Sequence, residues 1–142
     1  MKTKIRLIAI SKISPLFKEA QEYYLKKINY FADISLKEIP QRDKLTDSKK
    51  LLKYFDKSYK VVLDENGKGL SSKEFAYKIL HSKKNISFFL GGPEGLEDFV
   101  KQKADFVLSL SNFTLQHDIA RIVLLEQIFR GFNILKGTPY HK

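Results

Sequence analysis

Ile86-Ser87-Phe88-Phe89-Leu90-Gly91-Gly92-Pro93-Glu94-Gly95-Leu96 decides how this chain is read. An apolar run of strand length ends on two adjacent glycines, and a helix-like stretch follows from Glu97 to Lys103. Without a Cβ the backbone can turn sharply at the end of a buried strand, and a flat ligand can approach the main chain. In open α/β sheets such ligands sit beyond the carboxyl ends of the strands. A tight strand-to-helix turn with no ligand fits the same spacing, so both readings stand.

Around this stretch, strands and helices alternate. Lys4–Ile10 reads as a strand, and Ser14-Pro15 as an N-cap with proline at the first helical position. Leu16, Ala20, Tyr23, Tyr24, Lys27 and Ile28 follow at helical spacing. Ile34–Ile39 is a second strand, stopped by Pro40, and the charged stretch Gln41–Lys50 is the candidate mobile loop, leading into a short helix ending near Phe55. Lys60–Asp64 gives a third strand with a turn at Asn66-Gly67. Ser71-Ser72-Lys73-Glu74 is a capping box opening a helix through Leu80. A further strand begins at Phe106, and a long helical pattern closes the order. Such alternation implies an α/β fold with a mostly parallel sheet flanked by helices. At 142 residues the chain reads as a single domain over 1–142, burying roughly 68–70% of its unfolded surface.

Composition removes several classes. There is no cysteine, so disulfides, thiol nucleophiles and Cys-ligated metals are excluded. His81, His117 and His141 lie at no metal-ligand spacing. Gly67-Lys68-Gly69 is neither a P-loop nor a dinucleotide fingerprint, and there is no Gly-x-Ser-x-Gly elbow. No stretch approaches the roughly 20 apolar residues of a membrane span, and the amino terminus lacks a signal-peptide pattern. The expectation is a cytoplasmic protein with no membrane contact and no metal. The net charge of +10 is uneven: residues 1–83 hold 19 Lys/Arg against 10 Asp/Glu, and residues 84–142 hold 7 against 6. A basic half attracts polyanions such as RNA, although lysines also serve as a solubilising surface. Lys49, Lys50 and Lys53 are the candidate phosphate contacts.

From Ile119 to Leu135 the apolar positions surround most of the helical cylinder. A helix apolar nearly all round is buried on both sides, and in so small a domain the second side predicts a partner subunit, hence a homodimer. Arg121 falls inside this apolar arc, where a charge must be paired or hold an anion. Glu126 and Arg130 are i, i+4 neighbours, worth only ~0.2–0.5 kcal/mol if exposed, or else part of an interface site.

Three motifs in order bear on identity: Gly91-Gly92-Pro93-Glu94-Gly95-Leu96; then Leu108-Ser109-Leu110-Ser111 with Thr114-Leu115, His117 and Arg121; then Tyr140-His141-Lys142. Together they resemble the ribosomal large-subunit pseudouridine N3-methyltransferases of the SPOUT superfamily, along essentially the whole chain. One departure is visible, Gln116 standing where that family usually has proline before the histidine. The resemblance implies a SPOUT-type fold with a C-terminal trefoil knot and S-adenosyl-L-methionine as cofactor. It implies a slot for the adenine made by Leu63, Gly91 and the run Leu110, Ser111, Asn112, Phe113, Thr114 and Leu115. It implies a homodimer with sites at the interface and ribosomal RNA, within an assembled ribosome, as partner. Glu126, Arg130, Tyr140 and His141 are then the catalytic candidates. Glu126 or His141 would take the acceptor's proton, and Arg130 would hold developing charge. Tyr140 and His141 would extend away from their own core and reach the partner's site. The alternative is a non-catalytic RNA-binding protein of the same fold, which needs no cofactor slot.

Overall fold

The computed structural model describes residues 2–142. Its elements, in chain order, are β1 (Thr3–Ile10), α1 (Pro15–Ile28), β2 (Ala32–Ile39), α2 (Lys44–Leu52), β3 (Tyr59–Gly69), α3 (Ser72–Phe75, continuing as a π-helical turn Ala76–His81), β4 (Asn85–Leu90), α4 (Asp98–Gln102), β5 (Phe106–Ser109) and α5 (His117–Lys136). Five strands form one sheet in the order β2-β1-β4-β3-β5, every pair parallel. The chain is therefore α/β with a parallel sheet between helices.

The pattern of burial explains this architecture. β1 and β4 pair side by side, with Ile5 opposite Ile86 and Leu7 opposite Phe88. Both are apolar on successive residues, as central parallel strands must be when helices cover both faces. On one face Leu7, Val61 and Phe88 pack with Ile79, Leu124, Leu125 and Ile128 from α3 and α5. On the other, Ile8, Val62 and Phe89 pack with Leu51 and Val100 from α2 and α4. Each such side chain contributes roughly 1.5–3 kcal/mol by leaving water.

Local signals set several boundaries as expected. Ser14 caps α1 with Pro15 at its first position, and Ser71 and Glu74 close a reciprocal capping box on α3. Gly137 ends α5 in the left-handed conformation.

Other expectations are corrected. The charged stretch Gln41–Lys50 is not a loop beyond Arg42. Asp43 accepts from the Thr46 amide and caps α2, and its successors turn helical. Asp47 and Ser48 are buried, where Asp47 accepts from Arg42 N and Ser48 Oγ from Glu97 N. β3 does not stop at Asn66-Gly67. It bulges out after Leu63 and re-pairs with β5 at Lys68 and Gly69. Leu16 and Tyr23, read as the apolar stripe of α1, are 81% and 53% exposed. No helix among the described residues is long and apolar enough to cross a membrane.

Candidate functional site

Beyond the carboxyl ends of β4 and β5, against the bulge of β3, lies a cleft of about 390 Å³. Three segments wall it: 63–66 in the bulge of β3, the glycine turn 90–96 from the end of β4, and 108–115 from the end of β5. The glycine turn is a β-turn with Pro93 at its second position, closed by Gly95 N donating to Gly92 O at 3.0 Å. Gly95 has φ +73°, which L side chains rarely adopt. A Cβ on Gly91 would sit 3.0 Å from Leu96 Cγ and 3.1 Å from Gly95 C. Glycine at 91 thus lets the turn fold on itself, and a side chain there would distort the cleft wall rather than merely plug it.

The third wall is held by its own polar groups. Ser109 Oγ donates to Ser111 O, the Phe113 amide donates to Ser111 Oγ, and Thr114 Oγ1 donates 2.8 Å to Glu65 Oε2, tying it to the first wall. Leu63, Leu90, Leu108, Leu110 and Leu115 give the cleft apolar surface, and the carboxylates of Asp64, Glu65 and Glu94 line it together with Lys44 and Lys101. Lys101 bridges Asp64 and Asp98 at 3.5 and 3.1 Å. Phe113 stands at the rim, 82% exposed.

A second polar assembly lies further along α5. Glu126 and Arg130 form an ion pair at 2.9 and 3.1 Å through Oε2, with a third, longer contact to Oε1. The C-terminal residues fold back on it. Asn133 and Thr138 hydrogen-bond side chain to side chain at 2.6 Å just past the helix end. Tyr140 then packs edge-on against Phe129, lies 4.8 Å under the Arg130 guanidinium, and donates 2.8 Å to Glu126 Oε2. Burial, then the hydrogen bond to Glu126 and its charge, push the Tyr140 phenol up to about 12. Arg130 Nη1 donates to His141 Nδ1 at 3.0 Å. An arginine can only donate, so Nδ1 accepts and the neutral ring keeps its hydrogen on Nε2.

Between these regions sits Arg121, 2% exposed. It pairs with Glu38 and donates to Gln21 Oε1 and Ser11 O, each at 2.9 Å. The charge in the apolar arc is therefore fully partnered, and it binds α5 to the loop after β1.

Seven of the eight slot residues read from the sequence line the cleft: Leu63, Gly91, Leu110, Ser111, Phe113, Thr114 and Leu115. Asn112 does not; it is exposed beside it. Glu126, Arg130, Tyr140 and His141 come together, but none lines the cleft of their own chain. The expectation that the tail extends away from its core is corrected, because Tyr140 and His141 dock on their own helix. Sequence reasoning passed over Asp64, Glu65, Glu94 and Lys101 as wall residues, although Asp64 and Glu65 directly follow Leu63. His117, which the sequence offered only as part of a motif, also lines the cleft at the first turn of α5.

Comparison with known proteins agrees with this geometry. The family described as "Predicted SPOUT methyltransferase" matches residues 3–141. The chain is 37% identical to ribosomal RNA large subunit methyltransferase H of Enterococcus faecalis, over 98% of this chain and 99% of that one. It is 38% identical to the protein of the same name from Caldicellulosiruptor saccharolyticus, over 97% and 99%. Among solved structures, the tRNA (m1G37) methyltransferase of Aquifex aeolicus superposes with a TM-score of 0.63 at 16% identity, covering 99% of this chain and 74% of that one. A probable methylase family protein from Haemophilus influenzae gives 0.58 at 15%, covering 99% and 70%. A parallel α/β sheet with a glycine-walled cleft at its carboxyl edge, matched end to end by these relatives, places the chain in the SPOUT methyltransferase family, with the ribosomal RNA large subunit methyltransferases H.

Proposed function

We propose that this chain, acting over its whole length, transfers a methyl group from S-adenosylmethionine to N3 of a pseudouridine in large-subunit ribosomal RNA. The relatives' shared name supports the RNA class, and the motifs of the sequence support the base and atom. The observation that carries the reading is the cleft itself. Its size suits a small cofactor, and its apolar surface with main chain on three sides suits a flat adenine. The carboxylates of Asp64, Glu65 and Glu94 suit a ligand that carries cationic sulfonium and ammonium groups.

S-adenosylmethionine supplies an already activated methyl group, so the chain's residues need only bind, orient and manage one proton. Tyr140 offers a ring face to the target base, and its phenol stays protonated at neutral pH. Arg130 and the Nε2–H of His141 are donors placed to steady negative charge on the base as N3 loses its proton. Glu126 orients these groups, with both oxygens engaged by Arg130, Tyr140 and Gln127.

These donors and the cleft meet only across two chains. α5 carries both regions, and Ala120, a cleft residue, lies six residues or ~9 Å of helix from Glu126. The half-exposed flank of α5, with Ile119 at 41%, supports a homodimer in which one chain's tail cluster covers its partner's cleft. The order in which β3 lies between β4 and β5 supports the C-terminal knot that the resemblance implies.

Radioactive methyl transfer to ribosomes with and without the pseudouridine tests the substrate. Labelling confined to the pseudouridine-containing ribosome is expected, and equal labelling of both rejects it. Calorimetry with S-adenosylmethionine tests the enzyme reading against a non-catalytic RNA-binding protein. Binding is expected; RNA binding without cofactor binding favours the latter.

A further inference from the structure

We propose that His117, oriented by the buried carboxylate of Asp118, is the group that takes the N3 proton of the acceptor base. The inference rests on the methyl-transfer reading above and assigns its missing role. The tail cluster holds donors but no free acceptor. Both oxygens of Glu126 are occupied, and His141 Nδ1 receives the charged guanidinium of Arg130 at 3.0 Å, a stronger donor than a neutral carboxamide. An N–H must nevertheless lose its proton to be methylated, so an acceptor has to come from elsewhere.

The cleft wall supplies one imidazole, His117. Its hydrogen is fixed by Gln116, the residue before it. Gln116 Oε1 accepts from the amides of Asp118 and Ile119 at 2.9 and 3.1 Å, capping α5. The carboxamide is thereby oriented, and its Nε2 faces His117 Nδ1 at 3.2 Å. A carboxamide nitrogen only donates, so Nδ1 bears the lone pair and Nε2 the hydrogen. Nε2 in turn lies 3.5 Å from Asp118 Oδ1.

That oxygen is the second observation. Asp118 is 4% exposed, its Oδ2 accepts from Ser14 N, and Oδ1 has no hydrogen-bond partner. A buried carboxylate oxygen left unpaired is costly and rare. Here it lies beside the ring nitrogen that would share positive charge once Nδ1 takes a proton, and the hydrogen bond tightens as that charge forms.

Other charged groups at the cleft are engaged or exposed. Glu65 accepts from Thr114, Asp64 pairs with Lys101, and Glu94 and Lys44 stand in solvent. Arg121, one turn on, is committed to Glu38.

In the step, the N3 proton passes to His117 Nδ1. The electron pair left on N3 forms the bond to the methyl carbon as the carbon–sulfur bond breaks. That bond's pair stays on sulfur, which leaves as a neutral thioether. His117 then returns its proton to water. Gln116 yields Nδ1 at little cost, since its contact there is exposed and long.

The test uses the full chain and pseudouridine-containing ribosomes in single turnover, with cofactor affinity read separately by calorimetry. His117→Ala should slow transfer about 10²–10⁴-fold, the usual weight of a proton acceptor, with cofactor affinity within about twofold. Added imidazole should restore part of the rate, and Asp118→Asn should slow transfer about tenfold without rescue. A wild-type rate in His117→Ala overturns the assignment. So does a loss explained by cofactor affinity, or one that imidazole does not relieve. If the unaltered protein labels ribosomes lacking the pseudouridine equally, the substrate reading fails instead, with no reference to His117.

Discussion

The cleft and the tail cluster are built in opposite ways. Three segments from residues 63 to 115, far apart in sequence, converge on the cleft and present main chain and leucine. The tail cluster draws on residues 126–141 alone and is dense with fixed polar contacts. The first suits a flat ligand whose chemistry is already stored, and the second suits a base whose charge must be steadied as it changes. One helix carries a piece of each, yet the two do not touch within a chain. In the proposed assembly, methyl donor and acceptor are brought together by two chains rather than by one.

Removing Tyr140–Lys142 is the strongest way to break this pairing. The cluster loses the stacking ring and the His141 donor, while the cleft of the same chain is untouched. Transfer should fall about 10²–10⁴-fold, with S-adenosylmethionine affinity in calorimetry unchanged. A mixed dimer locates the tail. One chain is truncated and the other carries Gly91→Val, which distorts the glycine turn and removes cofactor binding. If the tail serves its partner, the intact tail completes the truncated chain's working cleft and one site survives. A dead mixed dimer rejects the exchange.

Arg121→Leu strikes both regions at once, because this residue fixes the helix they share. It leaves Glu38 without its cation and Ser11 O and Gln21 without a donor. Loss of one partner of a buried pair costs 3–5 kcal/mol; about 3 is expected here because Glu38 keeps some water contact. Urea unfolding measures it. Replacing Glu38 by Met in the same chain should recover part of the loss.

What the sequence made legible follows the same division between local and distant causes. Ser14-Pro15 and the Ser71–Glu74 box act within a turn of themselves, and each boundary stands where it was read. The glycine turn was legible because its peculiarity is conformational and lies in the residues themselves. α2 was not. Its charged sequence becomes a helix on an Asp43 cap and on contacts of Ser48 with Glu97, 49 positions away. Nor was the docking of the tail, which depends on Tyr140 meeting a glutamate 14 residues back. His117 carried its signal in plain sight: a glutamine in place of proline can cap the helix and orient the ring together, but only the geometry shows both.

Neither region is itself strongly basic, the cleft lining carrying three carboxylates against two lysines. In the proposed function RNA is then held elsewhere, and Lys49 and Lys50 on α2, with Lys53 just after it, are the candidates. Replacing all three with Gln should weaken RNA binding roughly tenfold at moderate salt and lower the slope of log affinity against log salt by up to about 3. Cofactor affinity should not move. Unaltered RNA affinity would make these lysines a solubilising surface.

The smallest effect concerns the cluster alone. Tyr140 has its phenol pushed up to about 12, first by burial and then by the Glu126 hydrogen bond and charge. A phenol that loses its proton late in the folded state favours the docked tail below pH 10, where the free phenol is neutral in either state. That advantage disappears as pH rises toward 12. The Tyr140 contribution to tail docking should therefore be indifferent to pH across the neutral range and be lost only in strong alkali. Ultraviolet difference titration of the unaltered protein against Tyr140→Phe isolates this one ring among seven tyrosines. Its ionisation should come about two pH steps above that of a free phenol, and Glu126→Gln should bring it down part of the way, burial retaining the rest. Ionisation near 10 in the unaltered protein would mean that the tail does not rest on its own helix in solution, which removes the contact on which the contrast between cluster and cleft is drawn.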